Sequence, residues 1–177
     1  MHFTLADLVT DITQNSLEAG SSLVELEVTD TESEFRFQVI DDGKGMTQEE
    51  LKRAQDPFVT DGIKHPNRKV GLGLPFLIQT AEQSGGGWNI ESAKGKGTTV
   101  TGWFDKNNFD TPPIGDLPLM FRAVLTFNSQ AEIIIKRKKV NDEYEVIKSE
   151  IAEAVGNLED VSSLVMLGEY LRSLESE

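Results

Sequence analysis

The segment from Glu34 to Met46 constrains the fold of this chain more than any other. Phe35, Phe37 and Val39 alternate there with Arg36 and Gln38, the two-residue period of a half-buried strand that ends at Asp41. Asp42-Gly43-Lys44-Gly45-Met46 follows at once. Gly43 and Gly45 let the backbone turn tightly and leave room for a flat ligand. A carboxylate held at a strand end beside an apolar pocket can accept a hydrogen bond from an exocyclic amine such as that of adenine. The same residues also make an ordinary turn, because Asp and Gly dominate turns. A second glycine cluster, Gly71-Leu72-Gly73, gives the pair the look of a nucleotide site.

At 177 residues the chain holds one domain with a well-buried core, or one domain with an appendage. Its 30 acidic and 17 basic residues give a formal net charge of -13, which repels polyanions, so no nucleic acid is expected as a partner. The absence of cysteine excludes disulfides, thiolate nucleophiles and Cys-ligated metals, and it fits a reducing compartment. No stretch approaches the roughly eighteen apolar residues of a membrane span, and the N-terminus lacks a basic segment followed by an apolar run. The expectation is a cytoplasmic protein with no membrane partner.

Helical periodicity runs from Phe3 to Ala19, with Asp7, Asp11 and Asn15 as a polar stripe, and Gly20 ends it. Strands are predicted at Leu23 to Asp30 and Glu34 to Asp41, then a short helix capped by Thr47. Gly71-Leu72-Gly73-Leu74-Pro75 opens a helix through Gln83, and a strand pair follows at Trp88 to Ser92 and Thr98 to Phe104. Asn107 to Pro118 reads as a linker, which divides the chain into a domain at 1–106 and an extension at 107–177. In that extension a short apolar element spans Leu119 to Phe127, a strand spans Ala131 to Val140, and helical periodicity continues to the end.

Asp11 and Asn15 share one helix face, because four residues advance a helix by about one turn. Together they can hold a water and a magnesium ion, Asn15 supplying one oxygen and Asp11 orienting the water. They can equally be part of a solvated stripe. Gly71 to Gly73 precede a helix whose free N–H groups can cradle phosphate, yet neither the dinucleotide fingerprint nor the P-loop is present. Lys64, His65, Arg68 and Lys69 either touch phosphate or keep a loop solvated. Lys136 to Lys139 is either a contact for an acidic partner or the polar end of a strand.

The order of these motifs is Asp11 with Asn15, Asp41 with Gly43 and Gly45, Phe58-Val59-Thr60, Gly71-Leu72-Gly73-Leu74, and Gly97-Thr98. It resembles the GHKL superfamily of gyrase, heat-shock chaperone, histidine kinase and mismatch-repair ATPases, over residues 3 to about 105. The fold that this implies is an α/β (α+β) sandwich of the Bergerat type, a mixed sheet with helices on one face, here with a small C-terminal α/β extension. The resemblance also implies ATP and Mg2+ as cofactors. Asp41 would bind the adenine amine with Gly43 in its turn, Gly45 and Met46 would shape the pocket, and Thr98 would support the base through a water. Asn15 would ligate magnesium, while Gly71 and Gly73, with Leu72 and Leu74 in the same box, would meet the phosphates. Phe58 and Thr60 match the remaining box, and Val59 to Val70 would form a short lid. Asp11 stands where the ATPase branches carry a glutamate that activates water, an arm shorter by one methylene, which puts efficient hydrolysis in doubt.

The chain starts almost at the first box, without a preceding helix bearing a phosphoacceptor histidine, so a self-contained histidine kinase is not expected. The extension is too short for the second catalytic domain of gyrase and mismatch-repair proteins. What remains is similar to small stand-alone bacterial ATP-binding proteins, among them anti-sigma-factor kinases. The expected function is a Mg-ATP-binding regulatory protein, an ATPase or protein kinase of the histidine-kinase-like class. The alternatives are a non-catalytic nucleotide sensor that gates a protein partner, or an interaction protein that has lost ATP. A protein partner is expected, and the apolar pattern of Val161, Leu164, Val165, Leu167, Leu171 and Leu174 covers either the core sheet or a second subunit of a homodimer.

Overall fold

The computed structural model describes residues 3–58 and 73–176. The first helix, α1 (Leu5–Glu18), begins where Thr4 and Asp7 form a reciprocal capping box: the Asp7 N–H donates to Thr4 Oγ1 at 3.1 Å and the Thr4 N–H to Asp7 Oδ2 at 2.9 Å. Two further N–H groups of its first turn, on Leu5 and Ala6, donate to the carbonyls of Pro113 and Ile114 at 2.9 and 2.8 Å. The predicted linker is thus a fixed strap that satisfies the open end of α1.

Strands β1 (Leu23–Asp30) and β2 (Glu34–Asp41) form the predicted hairpin. Helices α2 (Gln48–Ala54) and α3 (Gly73–Gln83) follow, then β3 (Gly87–Ala93) and β4 (Gly97–Asp105). Helix α4 (Leu117–Leu125) starts inside the stretch read as linker, because Asp116 caps it by accepting from the Leu119 N–H at 2.9 Å and Pro118 is tolerated in the first turn. Strand β5 (Glu132–Lys138) is followed by a strand that the helical reading of the C-terminus passed over, β6 (Glu143–Ile147), and by α5 (Lys148–Val155) and α6 (Val161–Glu175).

All six strands form one mixed sheet in the order β3-β4-β2-β1-β5-β6, with β1 and β5 parallel and every other pair antiparallel. Pleating sends Val24, Leu26, Val28, Phe35, Phe37, Val39, Ile133 and Ile135 to one buried face. Helices α1, α3 and α5 lie against the sheet, α4 packs on α1, and α6 packs on α4 and α5. The opposite face carries ion pairs such as Lys136 with Glu25 at 2.7 Å and Lys138 with Glu27 at 3.2 Å. The basic run Lys136 to Lys139 is accordingly split by the pleat, and Arg137 alone of the three basic residues within β5 turns inward, 3% exposed.

Candidate functional site

Alternation along β2 decides what Asp41 can do. Phe35, Phe37, Val39 and Asp41 share the buried face, so the strand delivers a carboxylate, 7% exposed, at the end of an apolar row. Its Oδ1 accepts the Gly43 N–H at 2.9 Å, and among the described residues no donor reaches Oδ2. Asp42 points the other way. It accepts from the Ser22 hydroxyl, the Ser22 N–H at 2.8 Å and the Leu23 N–H at 3.0 Å, closing the start of β1. The Ser22 hydroxyl, with the Leu23 N–H adding to it, holds the Asp42 carboxyl below its usual range. One aspartate of the pair therefore faces a pocket and the other fastens the turn.

The turn itself is set by close approach. Gly45 has φ +64° and a Cβ on it would lie 2.0 Å from the Ala93 carbonyl oxygen, so a side chain has no room. Around it the Gly95 N–H donates to the Lys44 carbonyl at 2.7 Å and the Met46 N–H to Ser92 Oγ at 2.8 Å. These bonds lay the Lys44–Met46 segment along the β3–β4 turn.

A cavity of ≈ 220 Å³ opens above Asp41. One wall is α1, through Ile12, Asn15, Ser16, Glu18 and Ala19. Lys44, Gly45, Met46 and Ala54 form another, and Gly73, Leu74, Thr98 and Val100 complete it. Asn15 and the start of α3 meet at its edge, where a Cβ on Gly73 would lie 3.2 Å from Asn15 Nδ2. The lining is mostly apolar with a few convergent polar groups, the character of a small-molecule pocket.

Of the residues expected from the sequence, the structure gathers Asn15, Asp41, Gly45, Met46, Gly73, Leu74 and Thr98 around this cavity. Gly43 supports it from behind, as the donor to Asp41. Asp11 is exposed on α1, one turn before Asn15, and does not line the cavity. Phe58 is 93% exposed and stands outside the wall. Thr60, Gly71, Leu72, the basic cluster at Lys64 to Lys69 and the expected lid lie outside the described residues. The sequence reading missed Ile12, Ser16, Glu18, Ala19, Lys44, Ala54 and Val100. Ile12, Glu18 and Ala19 follow from Asn15 by steps of three and four, a signal that was available, and Ser16 lies one turn beyond Ile12.

A family model described as histidine kinase-, DNA gyrase B- and HSP90-like ATPase matches residues 3–108. The chain belongs to this ATPase family. Its match spans the cavity wall from α1 to β4, and the mixed sheet with helices fits the family's fold. Among curated proteins this histidine-kinase-like ATPase domain is similar to sporulation kinase C of Bacillus subtilis, 33% identical over 96 residues that make up 53% of this chain and 22% of that protein. It is similar also to the sensor histidine kinase ZraS of Escherichia coli, 29% identical over 113 residues, 63% of this chain and 23% of that protein. Sporulation kinase E of Bacillus subtilis is 32% identical over 98 residues, 53% of this chain and 13% of its own length. The matched region thus spans less than a quarter of each of these relatives.

Two further observations bear on the expected cofactors and setting. Among the described residues no three His, Cys, Asp or Glu side chains cluster as a metal site. Among the described residues no helix is long and apolar enough to cross a membrane.

Proposed function

We propose that this domain binds Mg-ATP and serves as a regulatory ATPase or protein kinase of the histidine-kinase-like class, acting on a protein partner in the cytoplasm. The observation that carries the reading is Asp41: a carboxylate with one oxygen bound to its own turn and the other open to a mostly apolar cavity. Such a group accepts a hydrogen bond from an exocyclic amine and offers nothing to a carbonyl. In this reading Asp41 Oδ2 accepts from the adenine amino group, and Met46, Leu74 and Val100 enclose the ring. Asn15 would hold magnesium through its side-chain oxygen, in keeping with this ion's preference for oxygen ligands. The bound metal would neutralise phosphate charge. Gly73 brings the first N–H groups of α3 close to the phosphates, where the positive end of the helix favours them.

Calorimetric titration with Mg-ATP tests the binding step. Asp41→Asn replaces an acceptor with a mixed donor and acceptor, and its affinity should fall by about 10–100-fold, the worth of a hydrogen bond to a charged group. Affinity unchanged in Asp41→Asn would remove Asp41 from the site. Titration with γ-labelled ATP in a native extract then separates the outcomes: label on free phosphate marks an ATPase, label on another protein marks a kinase.

A second reading has its own support. Asp11 is the residue that would activate water, and it stands exposed outside the cavity lining. That favours a sensor which binds nucleotide and gates its partner without turnover. Phosphate release that drops in Asp11→Asn would sink the sensor; no release at saturating ATP would sink the ATPase.

A further inference from the structure

We propose that the free edge of β6 is a docking site for an extended segment of another protein that carries lysine or arginine at alternate positions. This edge lies outside the residues matched by the ATPase family and at the side of the sheet opposite β3, so docking there is separate from nucleotide binding.

The turn between β5 and β6 sets which backbone groups of β6 are available. The Lys139 N–H donates to the Asp142 carbonyl at 2.7 Å, so these two residues form a hydrogen-bonded pair at the mouth of the hairpin. Antiparallel pairs alternate between bonded and non-bonded along a ladder. Arg137↔Tyr144 and Ile135↔Val146 are therefore bonded pairs, while Lys138↔Glu143, Lys136↔Glu145 and Ile134↔Ile147 are non-bonded. A residue of a non-bonded pair turns its N–H and carbonyl away from the partner strand. Glu143 and Glu145 thus direct both groups, and Ile147 its N–H, to the outer side of β6. Strand β6 ends the sheet, and among the described residues no loop or helix takes these groups up.

The side chains give this edge a sign. On the open face of the sheet β1 presents Glu25 and Glu27, β5 presents Lys136 and Lys138, and β6 presents Glu143 and Glu145, so neighbouring strands alternate in charge. Lys136 and Lys138 are paired with Glu25 and Glu27. Glu143 and Glu145 are exposed, and among the described residues neither forms an ion pair. Opposite charges facing each other across a ladder stabilise it, and like charges weaken it. An antiparallel strand bonded to Glu145 and Glu143 sets two of its own residues, one position apart, opposite these carboxylates. Lysine or arginine there continues the alternation. The residue between them falls on the other face, beside Tyr144 and Val146, where an apolar side chain extends the buried row. A second copy of β6 is the wrong occupant, because pairing across a two-fold axis sets glutamate against glutamate. The two carboxylates therefore block self-pairing and select a basic strand. Main-chain bonds supply the attachment and alternate side chains the choice, as in strand addition generally.

The probe is a short acetylated and amidated peptide that alternates lysine with valine, titrated into the isotope-labelled whole chain without nucleotide and followed by backbone amide NMR. The amides of Glu143, Glu145 and Ile147 should shift, and a peptide alternating glutamate with valine should leave them in place. Methylating the lysine amide nitrogens keeps the charge but removes the strand bonds, and should abolish binding. The double variant Glu143→Gln with Glu145→Gln keeps the backbone edge and should weaken the lysine peptide by about 2–30-fold, the worth of two cross-strand charge pairs. Glu143→Lys with Glu145→Lys should reverse the preference, toward the glutamate peptide. Both positions are exposed, so each variant should keep the wild-type circular dichroism spectrum. Amide shifts confined to other elements, equal binding of the methylated peptide, or a preference that does not reverse each overturn the proposal. Shifts in β6 that follow protein concentration alone overturn it too, since they mark self-pairing. With no nucleotide present, every one of these outcomes leaves the nucleotide reading standing.

Discussion

Asp41 and Asp42 are adjacent and chemically identical, yet parity along β2 sends one into a cavity and the other into the backbone of the next strand. That much was legible, because the alternation of Phe35, Phe37 and Val39 already states which positions face inward. Ala19 and Ala54 were not legible as wall residues, since a methyl group carries no chemical signature and Ala54 reaches the cavity only through the placing of α2. Phe58 illustrates the converse, a large apolar residue matched to a motif and then found at the surface. Its N–H is held by Asp56 Oδ1 at 2.9 Å, and the chain beyond belongs to the undescribed stretch. At this scale the sharpest expectation concerns Gly45. An alanine there meets both a left-handed backbone and a carbonyl 2.0 Å from its Cβ, so Gly45→Ala should cost roughly 2–5 kcal/mol and abolish nucleotide binding. Urea unfolding beside an ATP titration measures both, and a protein of wild-type stability would show that the Lys44–Met46 segment yields more easily than its packing implies.

Elements were recovered from the sequence in proportion to how long a regular pattern they carry. Strands β1 and β2 have eight residues each with clean alternation, and their predicted ends coincide with the observed ones. Strand β6 has five residues at the sheet edge and buries only Val146, too short a signal to interrupt the helical pattern around it. That edge is held by a cluster the sequence could not announce. Arg137 donates from Nε and Nη2 to Glu175 at 2.8 and 3.3 Å, and the Tyr144 hydroxyl donates to Glu175 at 2.6 Å, so the last residue of α6 is fastened to β5 and β6 together. Burial pushes the Glu175 carboxyl up, but the hydrogen bonds from Arg137 and Tyr144 and the charges of Arg137 and Lys139 outweigh it and hold the group below its ordinary value of 4.5. A carboxyl with a depressed folded-state pKa stabilises the fold above its unfolded value and loses that contribution as pH falls through the folded one. Stability should therefore drop on acidification below pH 4.5, and Glu175→Gln should lose about 1–3 kcal/mol at pH 7 while flattening the acid limb. Denaturant midpoints from neutral pH downward check it; an acid limb of unchanged slope in Glu175→Gln would assign the loss to other carboxylates.

The whole molecule is organised by one continuous sheet, which bears on the division proposed at residue 106. Strand β5 pairs with β1 from Leu23↔Glu132 to Thr29↔Lys138, α4 packs on α1, and the strap at Pro113 and Ile114 completes the first turn of α1. A fragment of residues 1–106 would leave the β5-facing edge of β1 unpaired and the α1 surface under α4 bare, so it should show no cooperative thermal transition. A sharp two-state melt from that fragment would instead support the boundary. Mg-ATP should stabilise the intact chain by mass action, about 2.7 kcal/mol at a hundredfold excess over its Kd, and at the same concentration the gain should shrink to about 0.4–1.4 kcal/mol in Asp41→Asn, with a smaller shift in Tm. Length and composition gave no sign that the last third adds two strands to the first sheet, because strand pairing is a relation between distant segments and leaves no local mark. The parallel β1–β5 pair also sets a clock. During synthesis Leu23 leaves the ribosome more than a hundred residues ahead of Glu132, an interval of roughly 5–20 s at ordinary elongation rates. Through that time the nascent hairpin has an open edge one seat short of its neighbour, and the nucleotide wall on α1 cannot settle until the distal part of the chain arrives to fill it.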